Sequence, residues 1–234
     1  MRRSANPTAI RESLVRQHAG RWAAFERAID FVNRLGVPGD ILEFGVFAGA
    51  SLALLALSQH RHPHGLPRRV VGFDSFNGLP ATHDPHPVWR EGAFGVNEWW
   101  HPTLPIGAPV APDAVHDLFR ACALPEPTVV DGAFVDAVPR VVPRDVGAAA
   151  IVHLDCDLYE STRDALAGVA DVLQDGTMLL FDDWFLYHGN PERGEARALR
   201  EFLAARPGWA AAHYTSYGVC ANAFILYRVS IPDS

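Results

Sequence analysis

Four aspartates follow two apolar runs in the second half of the chain. The runs 149–154 and 177–181 have the composition of buried strands, and each is followed by a pair of acids. The four acids are Asp155, Asp157, Asp182 and Asp183. If the two runs are neighbouring parallel strands, their carboxyl ends lie at the edge where open α/β sheets bind ligands. Four carboxylates that converge there repel one another unless a cation shares them or some stay protonated.

Ligands that are all oxygen select a hard divalent ion, Mg²⁺, Mn²⁺ or Ca²⁺, rather than zinc. The pattern therefore predicts a metal site formed by these aspartates. The alternative is helix capping, with Asp155 and Asp157 as an N-cap pair before Ser161. Capping of the segment that follows could also occupy one of Asp182 and Asp183, but hardly both.

A glycine-containing turn follows the predicted strand 41–44. Glu43 lies two residues before Gly45, and Gly49 precedes a predicted helix over 51–60. Glycines let the backbone approach a ligand closely, and the acid can hold a cationic or hydroxyl group. The spacing is not G-x-G-x-x-G, so the turn alone does not predict a dinucleotide site. A tight turn with a packing glycine is the alternative.

Asp74 ends the second predicted strand, 69–73. An acid in this position commonly binds the ribose hydroxyls of a nucleoside in α/β sheets. The alternative is an N-cap or an Asx-turn, because Ser75, Asn77 and Gly78 follow. Together with the turn at Glu43, the nucleoside interpretation is the better one.

Asp131 and Gly132 follow the third predicted strand, 127–130, and form a third loop at the same edge of the sheet. A plain turn and a role in ligand binding are both open for them.

The composition is that of a soluble globular protein, with 49% hydrophobic and 20% charged residues in a chain of 234 residues. This length suits a single domain. The formal charge of -7 argues against a nucleic-acid partner and fits a site built from carboxylates. All 20 basic residues are arginine, which excludes mechanisms that need a lysine.

Three cysteines, Cys122, Cys156 and Cys220, form no CxxC pair and are predicted to be reduced thiols. Residues 1–7 lack the apolar stretch of a secretory signal. The longest apolar stretch, 41–57, is interrupted by Glu43 and two glycines, so a membrane span is not expected. The predicted location is the cytoplasm, with no membrane contact.

Apolar periodicity predicts an N-terminal helical segment within residues 1–36, and strands and helices alternate after it. Alternation implies right-handed crossovers and a parallel sheet, with helices on both faces. The further predicted helices are 114–121, 161–173 and 193–205, and the chain closes with a hairpin of 211–214 and 222–229. We therefore expect one α/β domain over residues 1–234.

Residues 81–112 are irregular and rich in proline, histidine and aromatic side chains. A loop this long inside a compact domain is commonly functional or disordered. We interpret it as a lid over the ligand site, with a dimer contact as the alternative.

Four stretches of the sequence resemble the macrocin O-methyltransferase family. They are residues 42–51, 72–80, 153–162 and 176–184, in the family's motif order. The family consists of class I, Rossmann-like enzymes that depend on S-adenosylmethionine and methylate sugar hydroxyls on glycosylated natural products, as in antibiotic biosynthesis. The resemblance implies a mostly parallel sheet of seven strands with an antiparallel C-terminal hairpin.

The resemblance also implies roles for single residues. Mg²⁺, or Mn²⁺, would be bound by Asp155, Asp182 and Asp183, and Asp157 would be the general base. S-adenosylmethionine would be bound by Glu43, Gly45, Phe47, Gly49, Ser51, Asp74, Ser75, Asp131 and Gly132. The partner would be a small glycosylated acceptor, and the chain would form homo-oligomers. If Asp157 is not the base, His188, which follows the second acidic pair, is the other candidate.

Three other functions remain open at this point. One is an O-methyltransferase for a non-sugar, catechol-like hydroxyl. A phosphatase of the haloacid dehalogenase type would also use Asp155 and Asp157 with Mg²⁺, although that family carries its Asp-x-Asp motif on the first strand. A non-catalytic nucleoside-binding protein would keep Glu43 and Asp74 but has no use for four clustered carboxylates.

Overall fold

A computed structural model describes residues 6–62, 64–86 and 88–229 of the chain. Residues 1–5, which include most of the stretch predicted to carry no secretory signal, lie outside the described part. The helices are α1 Pro7–Gln17, α2 Ala19–Arg34, α3 Ala50–His60, α4 Pro112–Ala121, α5 Phe134–Asp145, α6 Tyr159–Val169 and α7 Gly194–Ala204. The strands are β1 Asp40–Phe44, β2 Val70–Asp74, β3 Thr128–Asp131, β4 Ala149–Leu154, β5 Met178–Phe181, β6 Trp209–Tyr217 and β7 Ala221–Arg228.

The strands form one seven-stranded sheet in the order β3-β2-β1-β4-β5-β7-β6. All pairs from β3 to β5 are parallel, whereas β7 is antiparallel to both β5 and β6. The mostly parallel sheet with an antiparallel C-terminal hairpin is therefore confirmed. The strand order reverses between β1 and β4, and such a reversal marks the usual ligand-binding crevice of an α/β sheet.

Two hydrophobic cores cover the two faces of the sheet, as predicted. One core contains Phe25 of α2, Leu54 of α3 and Val115 of α4. The other contains Leu166 of α6 and Leu199 of α7. Strands β1, β4 and β5 are buried along their whole length, because they are covered on both faces.

Helix α5 is absent from the sequence-based prediction, which places no element between 132 and 149. The reason is its two internal prolines, Pro139 and Pro143, which normally interrupt a helix. Both are exposed and lie four residues apart, on the side of the helix that faces solvent. Ala137, Val138 and Val142 bury the opposite side and stabilise the helix by packing.

The predicted N-terminal helical segment within residues 1–36 contains two helices, α1 and α2, separated at His18. In the part of the chain that the structure describes, no helix is long and apolar enough to cross a bilayer.

Candidate active site

The predicted metal ligands converge at the carboxyl ends of β4 and β5. Leu154 and Phe181 are paired in the parallel register, so Asp155 and Asp182 leave the sheet side by side. The backbone N–H of Asp182 donates to the carbonyl of Leu154 at 2.9 Å, which fixes this alignment. One carboxylate oxygen from each of Asp155, Asp182 and Asp183 lies within 4.8 Å of the other two. This all-oxygen donor set fits a hard divalent ion.

Asp157 lies in a strained turn beside this donor set. Its φ of 62° falls in the left-handed region, and the N–H of Leu158 donates to the carbonyl of Cys156 at 2.6 Å. This bond spans three residues and forms a γ-turn with Asp157 at its centre. The turn keeps Asp157 at the cavity while only 7% of the residue is exposed. Backbone strain of this kind clusters at functional sites.

Burial and mutual repulsion raise the pKa of several acids here. Burial, opposed by Arg21 and reinforced by Asp182, raises the pKa of Asp155 to about 7. Burial, followed by the charges of Asp155 and Asp182, raises the pKa of Asp157 well above its usual range. Burial and the charge of Asp157 do the same for the pKa of Asp183. Without a cation, the site therefore holds protons at neutral pH.

Glu195 is a fifth acid in this group and was not predicted from the sequence. It lies in the first turn of α7, is 1% exposed, and its Oε2 accepts from the N–H of Asp183 at 2.9 Å. Its Oε1 has no hydrogen-bond partner among the described residues. Burial, with the charge of Asp182, raises its pKa well above the usual range. We call Asp155, Asp157, Asp182, Asp183 and Glu195 the acid cluster.

Two residues of the N-terminal helices also reach the cavity, and neither was predicted. Arg21 of α2 donates from Nη1 to Oδ2 of Asp155 at 3.0 Å and from Nη2 to Oδ2 of Asp182. His18 lines the cavity nearby. Burial, with the charge of Arg21, lowers the pKa of His18 to about 4, so its ring is neutral at physiological pH.

The glycine turn after β1 brings the backbone against the acid cluster. Gly45 has a φ of +87°, and a Cβ on it would lie 1.8 Å from the carbonyl oxygen of Asp155. Glycine is therefore the residue that this position accepts. Gly49 has the same φ and precedes α3, where a Cβ would come within 2.9 Å of the Val115 side chain. Phe47, at the centre of the turn, lines the cavity.

Glu43 lies behind this turn rather than on the cavity wall. It is fully buried, and its Oε1 accepts from the hydroxyl of Ser51 at 2.5 Å. Its Oε2 is 3.7 Å from Nδ1 of His153, another fully buried side chain. Ser51 lines the cavity, whereas Glu43 is not among the lining residues. The structure thus brings Ser51 to the surface of the site and places Glu43 beneath it.

Asp74 organises the loops on the other side of the turn. Its Oδ2 accepts from the backbone N–H groups of Val46 and Phe47 at 2.8 and 2.7 Å, and its Oδ1 accepts from that of Phe76 at 2.8 Å. Asp74 and Ser75 both line the cavity. Asp74 thus forms the predicted Asx-turn and also lines the cavity.

Asp131 and Gly132 do not line the cavity, but the three residues after them do. These are Ala133, Phe134 and Val135, at the start of α5. The N–H of Gly132 donates to the carbonyl of Asp74 at 2.9 Å. Asp131 and Gly132 therefore support the loop that follows them without contacting the cavity. His188 is exposed and is also not a lining residue.

One cavity of about 730 Å³ joins the glycine turn, Asp74 and the acid cluster. Residues 81–112, the aromatic segment, cover part of it with Trp89, Phe94 and Trp99. The Phe94 and Trp99 rings pack on Phe47 with centroid distances of 5.9 and 5.8 Å. The segment therefore contacts the glycine turn directly.

The aromatic segment is fastened on both sides of the cavity. Near its start, Asp84 accepts from Nε of Arg193 at 2.7 Å and from the N–H of Gly194 at 3.0 Å. Thr82 donates to Glu160 of α6 at 2.7 Å. Further along, Nε2 of His101 lies 3.0 Å from the carbonyl oxygen of Ala48. The segment thus bridges the elements after β5 and the turn after β1.

Comparisons with known proteins identify relatives of the chain. The model of the family described as "Macrocin-O-methyltransferase (TylF)" matches residues 13–206. A 4'-O-methyltransferase of Streptomyces olivaceus, acting on a dimethoxyrhamnosyl tetracenomycin, is 33% identical over 153 residues, which cover 64% of this chain and 54% of that protein. Demethyldecarbamoylnovobiocin O-methyltransferase of Streptomyces niveus is 28% identical over 152 residues, again 64% and 54% of the two chains. The chain thus spans about half the length of these relatives.

Among solved structures, the O-methyltransferase NovP matches with a TM-score of 0.67 and 23% identity, over 89% of this chain and 80% of that one. At this identity the match shows a shared fold. The phosphatase alternative is wrong, because Asp155 and Asp157 follow the fourth strand of this fold rather than the first.

Proposed function

Since the chain belongs to the macrocin O-methyltransferase family, we propose that it transfers a methyl group from S-adenosylmethionine to a sugar hydroxyl of a glycosylated natural product, with a divalent metal ion in the site. One observation carries this proposal. A single cavity contains an all-oxygen donor set, a buried candidate base, and the glycine turn with Asp74 that suits a nucleoside cofactor.

The residues divide between the two ends of the cavity. At one end, Gly45, Phe47 and Ser51 would contact the methionine part of the cofactor, with Glu43 and Gly49 holding the turn from behind. Asp74 and Ser75 would contact its ribose, with Asp131 and Gly132 supporting the loop near the adenine. At the other end, Asp155, Asp182 and Asp183 would hold Mg²⁺ or Mn²⁺.

Asp157 would accept the proton of the acceptor hydroxyl at its carboxylate. A sugar hydroxyl is about as acidic as water, with a pKa near 15.7, so full deprotonation at pH 7 costs about 12 kcal/mol. A positioned base contributes about 10²–10⁴-fold, or about 3–5.5 kcal/mol. Asp157 alone is therefore insufficient for full deprotonation. A divalent ion, when bound, supplies the rest by lowering the pKa of the hydroxyl and orienting it.

The other chain groups position the reactants and exclude water. The γ-turn aims Asp157 into the cavity, and the aromatic segment covers the site. A covered site strengthens electrostatic interactions and keeps water from the methyl donor. We propose that the aromatic segment is a lid over the acceptor. Replacing Asp84 by alanine removes its side-chain bonds to Arg193 and Gly194, so the acceptor KM should rise while the affinity for S-adenosylmethionine is unchanged. An unchanged KM contradicts the lid.

The decisive experiment is calorimetry with S-adenosylmethionine and Mg²⁺, followed by a mass-shift screen of glycosylated natural products with labelled cofactor. We expect cofactor binding and a methyl transfer that is lost in EDTA and restored by Mg²⁺. Absence of cofactor binding overturns the methyltransferase proposal. Turnover that is insensitive to EDTA overturns only the role of the metal. Multi-angle light scattering of the same sample tests the expected homo-oligomer.

A further inference from the structure

Arg21 is a cationic side chain that contacts two members of the acid cluster. Among the described residues that line the cavity, it is the one arginine, and seven acidic side chains line the same cavity. Its guanidinium bridges two carboxylates that belong to different strands, Asp155 after β4 and Asp182 after β5. Such a fork holds both partners in a fixed geometry, which an ammonium group cannot do.

The bridge uses one oxygen of each aspartate. Nη1 and Nη2 contact the Oδ2 atoms of Asp155 and Asp182, which leaves both Oδ1 atoms without a bond to Arg21. Asp183 makes no hydrogen bond to Arg21 and lies in the same donor set. The geometry is therefore compatible with a guanidinium on one side of the aspartates and a metal ion on the other.

The negative charge of the acid cluster is large enough to balance both a divalent ion and Arg21. The cluster holds five carboxyl groups, and a divalent ion balances two negative charges. Arg21 balances a third. Removal of Arg21 would leave the Oδ2 atoms of Asp155 and Asp182 without their shared partner, and the repulsion between the two carboxylates would no longer be offset on that side. The two ligands would then lose their common orientation.

Packing of α2 fixes the position of the guanidinium. Phe25, one turn after Arg21, is fully buried and meets the ring of His153 edge-on at 5.0 Å. Phe25 also contacts the ring of Tyr217 at 6.5 Å. These contacts attach α2 to β4 and β6, so Arg21 approaches the acid cluster from a rigid element, as a preorganised site requires.

We propose that Arg21 is a positioning residue of the metal centre, which aligns Asp155 and Asp182 as ligands by bridging their Oδ2 atoms. This inference rests on the metal-assisted transfer proposed above. Residues that hydrogen-bond to metal ligands without binding the metal themselves typically contribute about 10–100-fold to metal affinity. Arg21 extends the site to the N-terminal helices.

The test is calorimetric titration of the full-length protein with Mn²⁺ alone. Arg21→Gln should weaken Mn²⁺ binding at least about tenfold. Arg21→Lys keeps the charge but lacks the rigid planar fork that fixes the two aspartates relative to each other, so its affinity should be intermediate. The matched control is Arg34→Gln, because Arg34 lies on the same helix, is mostly exposed and, among the described residues, forms an ion pair only with Asp30. This control should bind Mn²⁺ like the wild type.

The affinity for S-adenosylmethionine, measured on the same samples, shows that each variant is folded and should stay within about twofold of wild type. Unchanged or tighter Mn²⁺ binding by Arg21→Gln overturns the inference, and tighter binding would identify Arg21 as a competitor of the ion. If Arg21→Gln does not fold, Arg21→Lys decides, and wild-type affinity in that variant overturns the inference. If the wild type itself does not bind Mn²⁺, the metal centre fails and the inference with it.

Discussion

The two ends of the cavity satisfy their polar groups in different ways. At the cofactor end, the Asp74 carboxylate accepts three backbone N–H bonds, and Glu43 is paired with Ser51. At the other end, the carboxyl groups of the acid cluster crowd together, and burial and repulsion raise the pKa values of Asp157, Asp183 and Glu195. The carboxylate of Asp74 is held by three backbone donors, whereas the acid cluster carries electrostatic tension that a cation relieves. The difference agrees with the proposed division, in which one end shapes the cofactor site and the other performs the chemistry.

The largest effect is expected from Asp157→Asn. Asparagine tolerates the positive φ of this position and keeps the shape of the side chain, but it cannot accept the proton. We expect kcat to fall about 10²–10⁴-fold, with Mn²⁺ and S-adenosylmethionine affinities unchanged. Steady-state kinetics measures kcat, and calorimetry measures the affinities for Mn²⁺ and S-adenosylmethionine. Retention of most of kcat would show that the base lies elsewhere.

Asp74→Ala should weaken the binding of S-adenosylmethionine without changing the metal site. The N–H groups of Val46, Phe47 and Phe76 lose their acceptor, so the turns around the cofactor lose their geometry. A lost set of buried partners costs about 1–3 kcal/mol, which corresponds to about 5–150-fold in affinity for S-adenosylmethionine. Mn²⁺ affinity should not change. A loss of both affinities would show that the two ends are not independent.

Two substitutions at Glu195 should separate its hydrogen bond from its charge. Glu195→Gln keeps an acceptor for the N–H of Asp183 and removes a carboxyl group from the cluster. Its free energy of unfolding in EDTA should equal or exceed that of the wild type. Glu195→Ala leaves the buried N–H unpaired and should lower that free energy by about 1–3 kcal/mol. Urea denaturation measures both, and equal losses in the two variants would argue against electrostatic tension.

The smallest effect concerns His86 in the aromatic segment. Burial, with the charge of Arg193, lowers the pKa of His86 to about 4. The unfolded chain takes up a proton below about pH 6.5 and the folded chain only below about 4, so stability should fall as the pH drops through this range.

The contribution of His86 to this slope is at most about 1.4 kcal/mol per pH unit. His86→Asn keeps an acceptor for the N–H groups of Val88 and Trp89 and does not titrate. Its unfolding free energy, from urea titrations between pH 4.5 and 7, should fall less steeply than that of the wild type. Identical slopes would contradict the assignment.

Much of the fold and of the aspartate group could be predicted from the sequence, because strand ends in a parallel sheet share one edge. Asp155 and Asp182 follow directly from that rule. Glu195 and Arg21 could not be found this way, since they reach the site from helices. A signal was nevertheless present. Glu195 in α7 and Arg21 in α2 are each followed by buried residues at steps of three, four and seven along their helices.

The same reasoning explains the remaining differences. Glu43 was predicted at the ligand, but a strand buried on both faces hides its side chain behind the turn. Helix α5 was not found because prolines weigh against a helix locally, whereas packing on the sheet decides the outcome. Long-range packing is what a local pattern does not contain.

The γ-turn at Asp157 has a consequence for how this site can evolve. A left-handed conformation costs a non-glycine residue about 1–2 kcal/mol, and Asp157 is held in it amid like charges. Glycine would relieve both the steric and the electrostatic cost, and it would remove the carboxylate. With Asp157 as the proposed base, selection for stability and selection for catalysis oppose each other at this position. A lineage that no longer needs the proposed base should lose Asp157 early and gain thermal stability as it does so.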